Sequence, residues 1–230
     1  ISNQLIRPNA QTNDYVISVP PHWTEPQRKA LLFAVKLSGI NCLVLLHSST
    51  AAALCYFKTK GQQFFHPKKR HNVVFIEIGH SSMSAALSQI TRNSIKMVSY
   101  SFDSEIGGHH LTSLLADHLV DVIKTQYGVD LTQNKRAYVR FLDAVEKVKR
   151  NLTVNKVVPF QIESIMNVDI DLIVERSTFN DLIRKDISRI TTLLKNCLQL
   201  AKLTKANIDA VEILGGGSRV LAVKEIITDF

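Results

Sequence analysis

The sequence predicts an α/β protein, and three observations carry that prediction. Near the start, strand-like and helix-like segments alternate: "YVISVP", "QRKALLFAVKLS", "CLVLL", "STAAALCYF". In the middle, three strand-like runs follow one another with very short gaps. At the end, "DAVEILGGGSRVLAVKEII" reads as strand, glycine loop and helix. The chain has 230 residues, of which 45% are hydrophobic. That is enough for one large or two smaller domains with cores, and too apolar for a disordered chain.

Each element has a local reason. "YVISVP" alternates apolar and small residues and stops at Pro20 and Pro21, as a strand does. Thr24, followed by Pro26 and Gln27, forms a capping box, so a helix is expected to start there and end at Gly39. Cys42 to Leu46 is short and wholly apolar, which predicts a buried strand. The next helix is expected to be capped by Ser49 or Thr50. After a basic connector, "NVVFIEIG", "MSAALSQI" and "IKMVSYSF" are separated only by "HSS" and "TRNS", which forces antiparallel hairpins. Two helices are expected over about 110–127 and 134–152, then a strand pair in "PFQIESI" and "VDIDLIV". Ser177 is a candidate cap for a further helix, with Phe179, Leu182, Ile183, Ile187 and Ile190 at helical spacing. That pattern is too long for one helix, so a break is expected within "RKDISRITTLLKNCLQLAKL".

Composition excludes several classes. No apolar run reaches the length of a membrane span. Cys42, Cys55 and Cys197 are few, odd in number and far apart, so they read as buried, reduced thiols. The net charge of +8 raises nucleic acid as a partner. The basic cluster of Lys58, Lys60, Lys68, Lys69 and Arg70 nevertheless contains Gly61 and Pro67, and reads as a solvated connector. The chain opens on Ile1 with no leader pattern, and is expected to be a piece of a longer protein.

Two glycine loops are the candidate chemistry. A strand that enters a helix through Gly215, Gly216 and Gly217 lets an anion approach the main chain and meet N–H donors. Gly79 with Ser81 and Ser82 offers a second such loop. Neither matches a P-loop or a dinucleotide fingerprint, and each alone also reads as a plain turn. Glu146, Lys149, Arg150 and Thr153 fall on one helix face, able to meet ribose hydroxyls and an adenine. Taken alone they read rather as a solvated, salt-bridged surface, since Glu146 and Arg150 are four apart. His109 and His110 are adjacent, so they share no helix face and read as surface, not as metal ligands. His80 alone reads as a packing or hydrogen-bonding residue.

In order, "YVISVPPHWTEPQRKALLFAVKLSGINCLVLLHSSTAAALCYF", "NVVFIEIGHSSMS", "FDSEIGGHHL", "AVEKVKRNLT" and "VEILGGGSRV" resemble the nucleotide-binding domain of the seventy-kilodalton heat-shock protein superfamily. "FIEIGHSS" and "IESIMNVDID" are most similar to its hundred-and-ten-kilodalton branch. The resemblance covers almost the whole chain. It implies an actin-like ATPase (ribonuclease H-like) fold, with residues 1–70 at the end of the first lobe and 71–107 beginning the core of the second. Residues 108–184 would be an inserted small subdomain, and 185–230 the rest of that core. It also implies ATP or ADP as ligand. Gly79, His80, Ser81, Ser82 and Gly107 would lie at the phosphates. Glu146, Lys149, Arg150 and Thr153 would line the nucleoside. Gly215, Gly216, Gly217 and Arg219 would lie at the adenosine, with Arg219 beside the base.

The chain departs from the founding chaperones where they carry acids. Ser48 and Ser49 stand at an acid and a proline, Ser84 at another acid, and Glu77 at an aspartate. A hydroxyl does not replace a carboxylate in holding hydrated magnesium, so Mg2+ would be held through nucleotide and water, and no residue is assigned as catalytic. The resemblance therefore implies a cytoplasmic, ATP-binding co-chaperone of weak or absent hydrolysis. It would act as exchange factor and holdase for a seventy-kilodalton chaperone, with clients held by a domain outside this sequence and neither nucleic acid nor membrane as partner. The alternatives are an active folding ATPase and an actin-fold small-molecule kinase.

Overall fold

The computed structural model describes residues 14–61 and 70–230. It separates into two compact units. The described residues up to Arg70 form one with the hairpin tip Ile90–Met97, and His71–Gln89 with Val98–Phe230 form the other.

In the first unit, β1 (Asp14–Val19) and β2 (Asn41–His47) pair in parallel across α1 (Glu25–Leu37). The capping box expected at Thr24 is present: the Thr24 N–H donates to Gln27 Oε1 at 2.8 Å. Helix α1 ends at Leu37, with Ser38 as its C-cap, just before Gly39. The expectation of a buried strand at Cys42 to Leu46 fails. Strand β2 exists, but Leu43 is 63% and Val44 51% exposed. This sheet has two strands among the described residues, so an all-apolar strand there is left uncovered. Helix α2 (Ser48–Tyr56) starts one residue before the expected caps, with His47 at the cap position and Ser49 buried in its first turn. Of the three thiols expected to be buried, Cys197 is buried, Cys42 is only partly buried and Cys55 is exposed. Lys58, Lys60 and Arg70 of the basic connector are exposed, while Lys68 and Lys69 lie outside the described residues.

The second unit is built on a sheet of order β5-β4-β3-β8: β3 (His71–Ile78), β4 (Met83–Thr91), β5 (Ser94–Asp103) and β8 (Ala210–Leu214). The short separators produce the expected neighbours. Strand β8, far away in sequence, returns parallel to β3 with Val73 opposite Ala210 and Glu77 opposite Leu214. Parallel pairing in this register brings the segments that follow both strands out at the same end of the sheet. That places the two glycine loops side by side.

Helices α3 (Gly108–Tyr127) and α4 (Lys135–Asn151) cover this region, followed by the antiparallel pair β6 (Val157–Ile165) and β7 (Val168–Glu175). Asn134 caps α4, its Oδ1 accepting from the N–H groups of Arg136 and Ala137 at 3.1 and 3.2 Å. The long helical pattern breaks at Ser188, giving α5 (Arg176–Ile187) and α6 (Arg189–Leu200). Glu175, not Ser177, occupies the cap position of α5. Ser177 lies inside the first turn and donates to Glu175 Oε2 at 3.0 Å. Helix α7 (Leu221–Asp229) closes the chain. One continuous core joins these elements, with Phe141, Phe160 and Phe179 fully buried and the rings of Phe141 and Phe160 edge-on at 5.8 Å. Burying each such ring stabilises the unit by roughly 2–3 kcal/mol. Among the described residues no helix is long and apolar enough to cross a membrane.

Candidate functional site

The loop after β3 is fixed by backbone bonds. The Gly79 N–H donates to the Ser82 carbonyl at 2.9 Å, closing a tight turn. The first N–H groups of α3 then donate to this turn, Gly108 to the Gly79 carbonyl at 2.8 Å and His109 to the His80 carbonyl at 2.7 Å. Those two helix-end donors are therefore satisfied within the protein. Gly107 makes the approach possible: a Cβ there would lie 2.5 Å from the His80 oxygen and 2.6 Å from the Ser82 nitrogen. The imidazoles of His80 and His109 lie 5.1 Å apart, tilted by 34°.

The loop after β8 does not run straight into a helix, as the sequence suggested. Gly217–Arg219 forms a 3-10 turn before α7, held by Arg219 N–H to Gly216 O at 3.2 Å and by Ser218 Oγ donating to Gly215 O at 2.7 Å. Gly215 has a φ of +86°, and a Cβ there would overlap the Ile78 carbonyl oxygen. A Cβ on Gly217 would lie 2.7 Å from Ile78 Cγ2. A Cβ on Gly216 would meet nothing within 4 Å.

Between these loops and α4 lies a hollow of about 500 Å³, within the roughly 300–1,000 Å³ of small-molecule pockets. Its lining includes Gly79, His80, Glu146, Lys149, Arg150, Thr153, Gly216, Gly217 and Arg219. The structure thus gathers most of the residues singled out from the sequence. Ser81, Ser82, Gly107 and Gly215 are outside the lining; Gly107 and Gly215 serve the packing of the loops instead. Gly108 and Val220 line the hollow and were missed by sequence reasoning.

The polar wall is a network on α4. Glu146 Oε2 lies 2.7 Å from Lys149 Nζ, and Glu146 Oε1 accepts from Arg150 Nε at 3.0 Å. Lys149 also donates to the Gly108 carbonyl at 2.8 Å and to Thr112 Oγ1 at 2.7 Å. Thr112 Oγ1 lies 2.6 Å from Glu146 Oε2, to which it donates. Thr112 was also missed, although its place among Leu111 and Leu115 on the buried face of α3 marks it as a polar residue needing a partner. Burial alone would push the Glu146 carboxyl up. The Lys149 ammonium, the Thr112 hydroxyl and Arg150 outweigh it and hold the carboxyl below the ordinary glutamate value. Glu146 is therefore an ionised acceptor at neutral pH, with Arg150, 74% exposed, as a cation at its solvent side. Thr153 Oγ1 donates to the Arg150 carbonyl at 2.7 Å, which holds the end of α4.

The site thus consists of backbone-lined loops at the ends of adjacent parallel strands, facing a helix with one acid and an exposed arginine; with the family match that follows, the protein is one of the actin-like ATPase fold. Residues 7–230 match the family model described as Hsp70 protein. The chain is 34% identical over 222 residues to a heat shock protein homolog of the yeast Lachancea kluyveri, covering 94% of this chain and 31% of that protein. It is 34% identical over 230 residues to heat shock 70 kDa protein 4L of Homo sapiens, covering 99% and 27%. It is 35% identical over 222 residues to heat shock protein 110 of Caenorhabditis elegans, covering 95% and 29%. The chain belongs to the Hsp70 family and is most similar to its hundred-and-ten-kilodalton branch. It spans about 27–31% of the length of these relatives.

Proposed function

We propose that the hollow binds ATP or ADP, and that the protein is a cytoplasmic co-chaperone of the hundred-and-ten-kilodalton type. It serves as nucleotide-exchange factor and holdase for a seventy-kilodalton chaperone, and its clients are bound by a domain outside this sequence. The observation that carries the reading is the open side of Gly216, where a Cβ meets nothing within 4 Å, in a loop whose other two glycines are tightly packed. A main chain bared toward a hollow that also holds Arg150, Arg219 and an ionised Glu146 suits a ligand with an anion at one end and hydroxyl donors at the other.

In this reading Gly79 and His80 border the phosphates, Glu146 accepts from the ribose, and Arg150 and Arg219 flank the base. Bound nucleotide sets a conformation rather than driving rapid turnover, because it shifts populations between states of the protein. Ser48, Ser49 and Ser84 stand where acids or proline support hydrolysis in the founding chaperones, which favours weak or absent turnover. Among the described residues no group of three or more His, Cys, Asp or Glu gathers to hold a metal. A magnesium ion would come with the nucleotide, carried by its phosphates and water.

The test is release of a labelled nucleotide from a seventy-kilodalton partner, with and without the full-length protein, beside a single-turnover hydrolysis assay. Accelerated release with negligible hydrolysis is expected. Chaperone-like hydrolysis without acceleration would favour an active folding ATPase instead.

A further inference from the structure

We infer that His80 and His109 form a proton-linked anion contact: the His80 imidazole meets the phosphates of the nucleotide, and His109 is a positioning residue that supports that ring. This rests on the hollow being the nucleotide site, and it gives that site a dependence on pH.

The phosphate end of the hollow needs positive charge, and part of its main chain is already spent. The N–H groups of Gly108 and His109, which open α3, donate to the Gly79 and His80 carbonyls at 2.8 and 2.7 Å. The cations of the lining, Lys149, Arg150 and Arg219, lie on α4 and in the loop after β8. Lys149 and Arg150 also share Glu146 between them. From the turn after β3 and the start of α3 the lining takes Gly79, His80 and Gly108, of which His80 alone has a side chain. Among the described residues of the lining, His80 is thus the ionisable group on that side.

The two imidazoles stand as a pair. Their rings lie 5.1 Å apart, tilted by 34°. The bond from His109 N–H to the His80 carbonyl fixes the two residues side by side. Both are exposed, and among the described residues no hydrogen bond or ion pair engages either ring. Their neighbours are already committed. His110 Nε2 lies 3.0 Å from Asp186 Oδ2 on α5, and Glu105 accepts from Arg189 at 2.9 Å. The charged groups that share the hollow with His80 are therefore Glu146, Lys149, Arg150 and Arg219.

Histidine is the side chain that ordinarily changes charge between about pH 5 and 8. A phosphate beside it favours the cationic form. Two imidazolium ions at this spacing repel, and a cation at the N-terminus of α3 opposes the helix dipole. The pair accordingly takes up one proton, on His80, when phosphate arrives. ADP binding then strengthens as pH falls through the imidazole range, whereas adenosine, which has no phosphate, lacks that dependence.

The experiment measures binding of ADP, adenosine and pyrophosphate to the full-length protein by calorimetry at about pH 8 and about pH 6. Wild type is compared with His80→Gln and His109→Gln. Glutamine keeps a donor and takes up no charge, and both side chains are exposed, so both variants should fold. Ionisation of the phosphate itself, at about pH 6, is common to all three proteins and cancels in the comparison. On acidification the ratio of wild-type to His80→Gln affinity for ADP should rise about fivefold. His109→Gln should lose about half of the wild-type rise or more, and adenosine affinities should stay within about twofold of one another. A ratio that does not change with pH would overturn the proposal. So would a His109→Gln profile identical to that of wild type, since His80 would then act alone, or an adenosine response equal to that of ADP. If pyrophosphate binds with this pH dependence and ADP does not bind, the imidazole pair stands and the nucleotide reading fails. If neither binds, both fail.

Discussion

The two loops that border the hollow follow adjacent parallel strands, yet they use glycine for different reasons. After β8, Gly215 and Gly217 are required by the Ile78 backbone and side chain, and only Gly216 faces open space. After β3, Gly79 is hardly constrained, since a Cβ would come no closer than 3.6 Å to Ser82 O. There the steric demand is displaced to Gly107, across the loop, whose missing Cβ lets α3 dock on His80 and Ser82. A glycine run thus mixes residues that the packing requires with one whose side facing the hollow is open, and only the neighbours distinguish them.

Substitutions can break that distinction. The largest effect is expected for Gly215→Ala, where a φ of +86° and overlap with the Ile78 carbonyl act together. The loss should be roughly 3 kcal/mol or more of unfolding free energy, read by chemical denaturation. Gly107→Ala comes next. Its φ of −159° suits any residue, so the cost is overpacking alone, about 1–3 kcal/mol. Equal stability of Gly107→Ala and wild type would contradict the docking of α3 on the loop.

A smaller effect sharpens the account of α4. The Glu146 carboxyl is held below its ordinary value in the folded chain, so its ionised form contributes stability that is present above the unfolded value, about 4.3. That contribution fades as pH drops through the folded value. Denaturation from pH 6 down to about pH 3 should show an acid-side loss that Glu146→Gln reduces. A wild-type profile identical to that of the variant would remove the network's electrostatic role.

Gly216→Ala should change stability least. Its φ of −69° and ψ of −32° suit alanine, so unfolding free energy should stay within about 0.5 kcal/mol or rise slightly. ADP affinity should nevertheless fall about tenfold, since the methyl group enters the hollow. A variant that binds ADP as wild type does would show that Gly216 is a turn residue like any other.

Much of this was legible in the sequence, for identifiable reasons. The strand triplet followed from gaps too short for anything but hairpins, and the break at Ser188 from a helical pattern too long for one helix. Glu146 and Arg150 were paired by spacing alone, and they are. Legibility ended where distant segments meet. The exposure of β2 depends on how many strands flank it, which a local apolar run does not record. Helix caps at His47 and Glu175 were missed because side-chain preference is weak against the tertiary position of the chain. The bonds from Lys149 to Gly108 and Thr112 were not legible, because those partners lie in another helix, far away in sequence. The hollow itself depends on β8 pairing with β3, a register no local pattern reveals.

The central claim is that this hollow grips an adenine nucleotide, and calorimetric titration of the full-length protein with ADP and ATP tests it most directly. A saturable heat with one nucleotide per chain, weakened by Gly216→Ala at unchanged stability, is the predicted result. Absence of saturable heat with either nucleotide, in a protein shown to be folded, would contradict the account.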